Sequence, residues 1–207
     1  MTTFVLASQS PARLGVLRNA GVEPVVRVSH VDENAVAAAL PAGTAPDRVV
    51  IELARAKARE VASTLGAEFP DAVVVGCDSM LLVDGILQGK PLTPEVARVR
   101  WAEMAGRSAD LLTGHSVLRM RDGEIVAEAA DCSSTTVHFA KPEPEELDAY
   151  IATGEPLQVA GSFTLDGLGG WFVDRIEGDP SSVIGIGLPL VRRLLTEVDV
   201  DLTQLWV

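Results

Sequence analysis

Asp78 and Lys90 bracket the stretch Gly76-Cys77-Asp78-Ser79-Met80-Leu81-Leu82-Val83-Asp84-Gly85-Ile86-Leu87-Gln88-Gly89-Lys90-Pro91, a carboxylate and an ammonium suited to work on an anion. Residues 72–75 are apolar and mostly β-branched, as in a buried strand, and the run stops at Gly76, which predicts Asp78 at the end of a core strand. Residues 80–83 and 86–88 flank Asp84-Gly85, a dipeptide that suits a type I′ turn, so the chain doubles back and carries Lys90 towards Asp78. Such a pair has two readings. One is a structural salt bridge at a sheet edge; the other is half of a site for phosphate and metal.

A second set of polar residues opens the chain. Residues 4–7 read as a buried strand, followed by Ser8-Gln9-Ser10-Pro11-Ala12-Arg13. Ser10 suits an N-cap and Pro11 the first helical position, which predicts a helix over 11–20 stopped by Gly21. Free backbone N–H groups there, with two serine hydroxyls and Arg13 one turn in, make an anion cradle. The glycine spacing of a Walker loop or a dinucleotide fingerprint is missing, and ordinary capping explains Ser10 equally well. Asp32 and Glu33 open an alanine-rich segment, where paired acids fit the helix dipole; Glu33 is also a candidate metal ligand. Lys57 and Glu52 fall beside the apolar stripe of a long helix expected over 47–65, made by Val50, Leu53, Ala54, Val61 and Leu65; a solvated flank accounts for both.

The elements that must position these residues alternate. A strand is expected over 24–29, a helix from Thr93-Pro94-Glu95 to Gly106, and a long hairpin of 111–120 with 124–139 turning at Asp122-Gly123. A helix from Lys141 to about Thr153, a glycine-dense loop over 159–170, a strand over 171–177, a turn over 178–182 and a helix over 188–197 complete the chain. This predicts a single α/β domain over 1–207: a central mixed β-sheet flanked by helices, a β-hairpin lobe, and a ligand cleft between. The apolar end Leu205-Trp206-Val207 is expected to pack down or to meet a partner.

Composition narrows the partners. With 207 residues, 47% of them hydrophobic, the chain can build one substantial core. A net charge of −12 without any basic run argues against a nucleic-acid polymer, but leaves room for a small anion met by a few local cations or a divalent metal. Cys77 and Cys132 stand alone, outside any redox or zinc spacing, and both are expected reduced and buried. No leader pattern opens the sequence and no apolar run is long enough to span a bilayer, so a cytoplasmic protein that does not engage membrane is expected.

Six motifs together resemble the Maf family of nucleoside triphosphate pyrophosphatases, in order and over nearly the whole chain. They are Leu6-Ala7-Ser8-Gln9-Ser10-Pro11-Ala12-Arg13, residues 52–58, Gly76-Cys77-Asp78-Ser79, Gly89-Lys90-Pro91, Ala160-Gly161-Ser162-Phe163, and Val183-Ile184-Gly185 with Leu188-Pro189-Leu190. The resemblance implies a Maf or inosine-triphosphatase-like fold. It also implies hydrolysis of a nucleoside triphosphate between its α and β phosphates to the monophosphate and pyrophosphate, with Mg²⁺ or Mn²⁺. Ser8, Ser10 and Arg13 match the family's phosphate-binding motif; Glu33, Lys57, Asp78 and Lys90 match its acidic and basic positions. On that footing Arg13, Lys57 and Lys90 hold oxyanions, Glu33 and Asp78 face the metal, and Asp78 is general base, metal ligand or both. A homodimer, and a role in keeping modified nucleotides out of nucleic acids, are further implications.

Three departures bear on the base. Ala12 stands where many members carry the first of two arginines, Gln158-Val159-Ala160-Gly161-Ser162-Phe163 where many have Asp-Lys-Ala-Gly-Ala-Tyr, and Asp166 where Gln is common. The preference therefore stays open between a pyrimidine (dTTP and UTP) and 7-methyl-GTP. Two other classes compete with this reading. A nucleotide-binding regulator of cell division and septum formation would bind without turnover, which the retained Asp78, Lys57 and Lys90 oppose; a nicotinamide enzyme would need a glycine fingerprint that no strand here precedes.

Overall fold

The computed structural model describes residues 2–207. In chain order the elements are β1 (Thr3–Leu6), α1 (Pro11–Asn19), β2 (Val25–Val26), α2 (Glu33–Ala39), α3 (Pro46–Leu65), β3 (Asp71–Val83), β4 (Ile86–Gln88), α4 (Pro94–Met104), β5 (Ser108–Arg121), β6 (Glu124–Phe139), α5 (Pro144–Ala152), β7 (Val173–Glu177), α6 (Pro180–Ile184) and α7 (Leu188–Glu197). Among the described residues the strands hydrogen-bond in the order β2-β1-β3-β5-β6-β7, with β4 on β3. Pairing is parallel for β2 with β1 and β1 with β3, and antiparallel for β3 with β4 and β6 with β7, the mixed sheet expected.

One expectation needs correction. Asp78 does not end a strand: β3 runs unbroken through Gly76 to Val83, because the glycine serves a close helix contact while the backbone stays extended. The long hairpin of β5 and β6 joins the same sheet, with β5 between β3 and β6. Smaller differences are a strand of only Val25–Val26 where 24–29 was expected, a last strand beginning at Val173, and the short helix α6 where 178–182 was expected to turn. Asp84 and Gly85 both take positive φ, as the predicted turn demands.

The chain divides into two compact units. The first comprises the residues up to Asp78, Thr113–Ser133 and Gly185–Val207; the second comprises Ser79–Leu112 and Ser134–Ile184. In the first, the period-2 alternation of β3 supplies two cores. Val73, Val75 and Cys77 pack with Leu17 and with Leu190, Val191, Leu194 and Leu195 of α7, while Ala72 and Val74 face Ala58, Val61, Ala62 and Leu65 of α3. The chain's end packs down here, with Leu205 buried and Val207 N–H bonded to the Gly21 carbonyl at 2.9 Å.

Helix α3 comes unusually close to the sheet. A Cβ on Gly76 would overlap the Ala54 carbonyl and lie 2.9 Å from Ala58 N, and one on Gly114 of β5 would overlap the Val50 carbonyl. Glycine is needed at both positions for approach rather than for backbone freedom. The second unit has its own core around Trp101, which meets Phe139, Tyr150 and Phe172 edge-on at 5.7, 6.2 and 5.9 Å and donates from Nε1 to the Ser162 carbonyl at 2.8 Å.

Gly76→Ala is expected to push α3 off the sheet. The urea midpoint should fall by the equivalent of about 1–3 kcal/mol, the usual cost of overpacking a core.

Candidate active site

Two polar clusters form inside the first unit. Because Leu6 of β1 lies opposite Val75 of β3 in parallel register, the residues that leave β1 emerge beside the stretch that carries Asp78. In an open α/β sheet, such carboxyl ends of parallel strands are where ligands bind.

The first cluster is the turn from β1 into α1. Ser10 caps the helix, its Oγ accepting from Arg13 N–H at 3.3 Å, and Pro11 occupies the first turn, as predicted. Ser8 is buried, and its Oγ accepts from Ser10 N–H at 3.2 Å and from Arg13 Nη1 at 3.1 Å. Arg13 also donates from Nε to the Gly185 carbonyl at 2.7 Å. Gly185 has φ of +132° and lies so close that a Cβ would sit 3.1 Å from that Nε, so a side chain there is strained and crowds the guanidinium. Ser8, Ser10 and Arg13 are thus brought together. Capping does not exhaust their roles, since Ser8 and Arg13 bond each other across the turn.

The second cluster rests on the contact between α3 and β3. Gly76 and Asp78 share a face of β3, the face turned to α3, and Lys57 lies one turn beyond Ala54 and next to Ala58 on that helix. Its ammonium lies 2.5 Å from Asp78 Oδ1 and 2.8 Å from Glu33 Oε1, so one cation bridges two carboxylates. Asp78 is 5% exposed, whereas Glu33, first residue of α2 behind the N-cap Asp32, is exposed. Burial raises the Asp78 carboxyl above the ordinary range, and the Lys57 charge opposes that rise without cancelling it. Burial also drives the neighbouring Cys77 thiol up to about 11, leaving it an inert apolar filler. The solvated-flank explanation therefore fails for Lys57. It holds for Glu52, which pairs with Arg48 and Arg55.

Cys132, expected buried, is only partly so; both cysteines are free thiols. Lys90 belongs to the second unit, exposed just beyond β4, and among the described residues it has no ion-pair partner. The segment that carries it is anchored: the Gly89 carbonyl accepts from Arg100 Nη1 at 2.5 Å and from Gly161 N–H at 3.4 Å, and Leu92 N–H bonds the Leu157 carbonyl at 3.0 Å. The glycine-dense loop of this unit is held by Glu155, which accepts from Thr164 Oγ1 and, at 3.0 Å, from Gly169 N–H. Arg100, Glu155 and Gly185 were not singled out in the sequence. Only Gly185, inside the motif Val183-Ile184-Gly185, carried a signal there.

No group of three or more His, Cys, Asp or Glu side chains converges to hold a metal among the described residues. The two carboxylates that meet at the Lys57 ammonium are nevertheless a hard-oxygen pair, and Mg²⁺-type ions are commonly held by one or two carboxylates together with substrate phosphates. The donor set fits such an ion. No helix of the described residues is long and apolar enough to cross a membrane.

Because Lys57 is the principal opponent of burial at Asp78, Lys57→Met should raise the Asp78 carboxyl further. In a ¹³C carboxyl titration the Asp78 transition should move to higher pH than in the unsubstituted protein, while exposed carboxylates stay in place.

Residues 3–198 match the family model described as Maf-like protein. The chain is 76% identical over 205 residues to a protein of Nocardia farcinica named nucleoside triphosphate pyrophosphatase, covering 99% of this chain and 97% of that protein. Proteins with the same name from Rhodococcus jostii and Mycolicibacterium gilvum are 71% and 55% identical over 207 residues, covering all of this chain and 97% and 99% of their own lengths. By the extent of the family match and by these full-length identities, the chain belongs to the Maf-like protein family.

Proposed function

We propose that the protein hydrolyses nucleoside triphosphates to the nucleoside monophosphate and pyrophosphate. The observation that carries this reading is the single ammonium of Lys57 joining buried Asp78 to Glu33, in the same unit as the serine and arginine turn that opens α1. The shared name of the full-length relatives supports it.

The residues divide the work by charge. Arg13, Lys57 and the backbone N–H groups opening α1 bind triphosphate oxyanions, in a protein whose net charge of −12 would otherwise repel them. Lys90 is assigned the same duty by the family resemblance. Asp78 orients the attacking water and takes its proton on a carboxylate oxygen; a free carboxylate near 3.9 is a poor base at neutral pH, and the upward shift caused by burial improves the match. Water oxygen bonds to phosphorus, the bridging bond between the α and β phosphates breaks, and pyrophosphate leaves. Glu33 and Asp78 would hold Mg²⁺ or Mn²⁺, which when bound supplies charge against the triphosphate and acidifies water. A regulator that binds without turnover would not need a buried carboxylate poised in this way, and it is not favoured.

The test is pyrophosphate release from a panel of ordinary and modified triphosphates with Mg²⁺ or Mn²⁺. The panel should show turnover of one base class, deciding between a pyrimidine and 7-methyl-GTP, and chelator should stop it. Asp78→Asn should stay folded by circular dichroism and lose on the order of 10²–10⁴-fold in kcat, the usual span for a general base. Lys90→Ala should lower kcat/KM by on the order of 10²-fold. Full activity in Asp78→Asn would contradict the assignment.

A further inference from the structure

His115 is fully buried, and none of the roles above uses it. It sits on β5 directly after Gly114, the residue whose lack of a side chain admits α3. Both ring nitrogens are committed. Nδ1–H donates to the Thr113 carbonyl at 2.9 Å, and Nε2 accepts from Gly187 N–H at 2.8 Å. This assigns the neutral tautomer protonated on Nδ1. Burial, reinforced by the nearby Arg13 charge, lowers the pKa to about 3, so the ring stays neutral and Nε2 stays an acceptor through the physiological range.

Gly187 is the N-cap of α7, and two residues before it stands Gly185, whose carbonyl receives Arg13 Nε at 2.7 Å. The loop 185–187 is therefore held at one end by the imidazole and at the other by the guanidinium. Arg13 Nη1 continues the chain of bonds to Ser8 Oγ, which accepts from Ser10 N–H. A loop able to slide would let the Gly185 carbonyl move and take from Arg13 the bond that fixes its Nε. One buried acceptor prevents this.

We propose that His115 is a positioning residue that, through Gly187 and Gly185, fixes the Arg13 guanidinium for binding of a polyphosphate anion. The proposal rests on the reading of Arg13 as a triphosphate-binding residue. Its structural half, the link from His115 to Arg13, stands apart from turnover and can be read separately.

The test uses two substitutions that divide the ring's bonds. An asparagine amide falls near the Nδ1 position and can serve Thr113 but not Gly187, whereas a glutamine oxygen reaches the Nε2 position and can accept from Gly187. His115→Asn should speed solvent exchange of the Arg13 Nε–H, followed by ¹⁵N NMR, and raise KM for the best triphosphate on the order of ten-fold, the scale on which loss of an outer partner acts on a ligand site, with kcat within about two-fold. His115→Gln should restore both values towards those of the unsubstituted protein. A purely structural histidine predicts instead that both variants lose stability while KM and Arg13 exchange stay put, and that result overturns the proposal. As a check that needs no variant to fold, the His115 Nε2 resonance of the unsubstituted protein should shift when inorganic tripolyphosphate binds; a stationary resonance under saturation also overturns it. If no triphosphate is turned over, the hydrolytic reading falls, and Arg13 exchange in His115→Asn alone decides the positioning claim.

Discussion

The first unit depends on how closely α3 can lie on the sheet. Gly76 and Gly114 stand on β3 and β5, neighbours in the strand order, and at each the helix backbone occupies the space a side chain would need. Close packing follows from this contact, with Ala54, Ala58, Val61 and Ala62 buried against the sheet, and so does the chemistry. Lys57 shares the helix turn that touches Gly76, and Asp78 shares its strand face, so the contact that packs the core also brings ammonium to carboxylate. A larger residue at Gly76 would separate them by pushing apart the elements on which they stand.

Burial then sets the character of the carboxylate. Removing Asp78 from water disfavours its charge, Lys57 favours it, and burial is the stronger influence. A pair of this kind contributes little to stability, because the cost of desolvating two charges offsets their attraction. Its retention makes sense as chemistry: a base closer to neutrality, beside a cation that an oxyanion can share. The turn from β1 into α1 adds the second cationic element. There the capping that starts the helix and the bonds that orient Arg13 use the same two serines, so local folding and anion binding are not separable.

Much of this was legible in the sequence where the signal is local. The capped, proline-started helix after β1, the Asp84-Gly85 turn and the alternation of strands and helices follow from neighbouring residues and were read correctly. What escaped depends on residues far apart in the chain. Gly76 looked like a strand end because a glycine needed by a helix twenty residues away is indistinguishable, in one dimension, from a breaker. Lys57 looked like a solvated flank because helical periodicity shows which residues face the core but not which charge waits there. His115 and Gly185, far apart in the chain, became meaningful only when the fold placed one loop between an imidazole and a guanidinium. Cys77, by contrast, is a buried free thiol, as its isolation suggested.

The central claim is that Lys57 and Asp78, joined by the contact at Gly76, are where the triphosphate is met. The most direct measurement follows the Lys57 ammonium and Asp78 carboxyl resonances by NMR while an α,β-methylene nucleoside triphosphate, which lacks the cleavable bridge, is titrated in with Mg²⁺. Both signals should move together and saturate with one dissociation constant. Saturable binding that leaves both in place would show that the ligand goes elsewhere, and the account would be wrong.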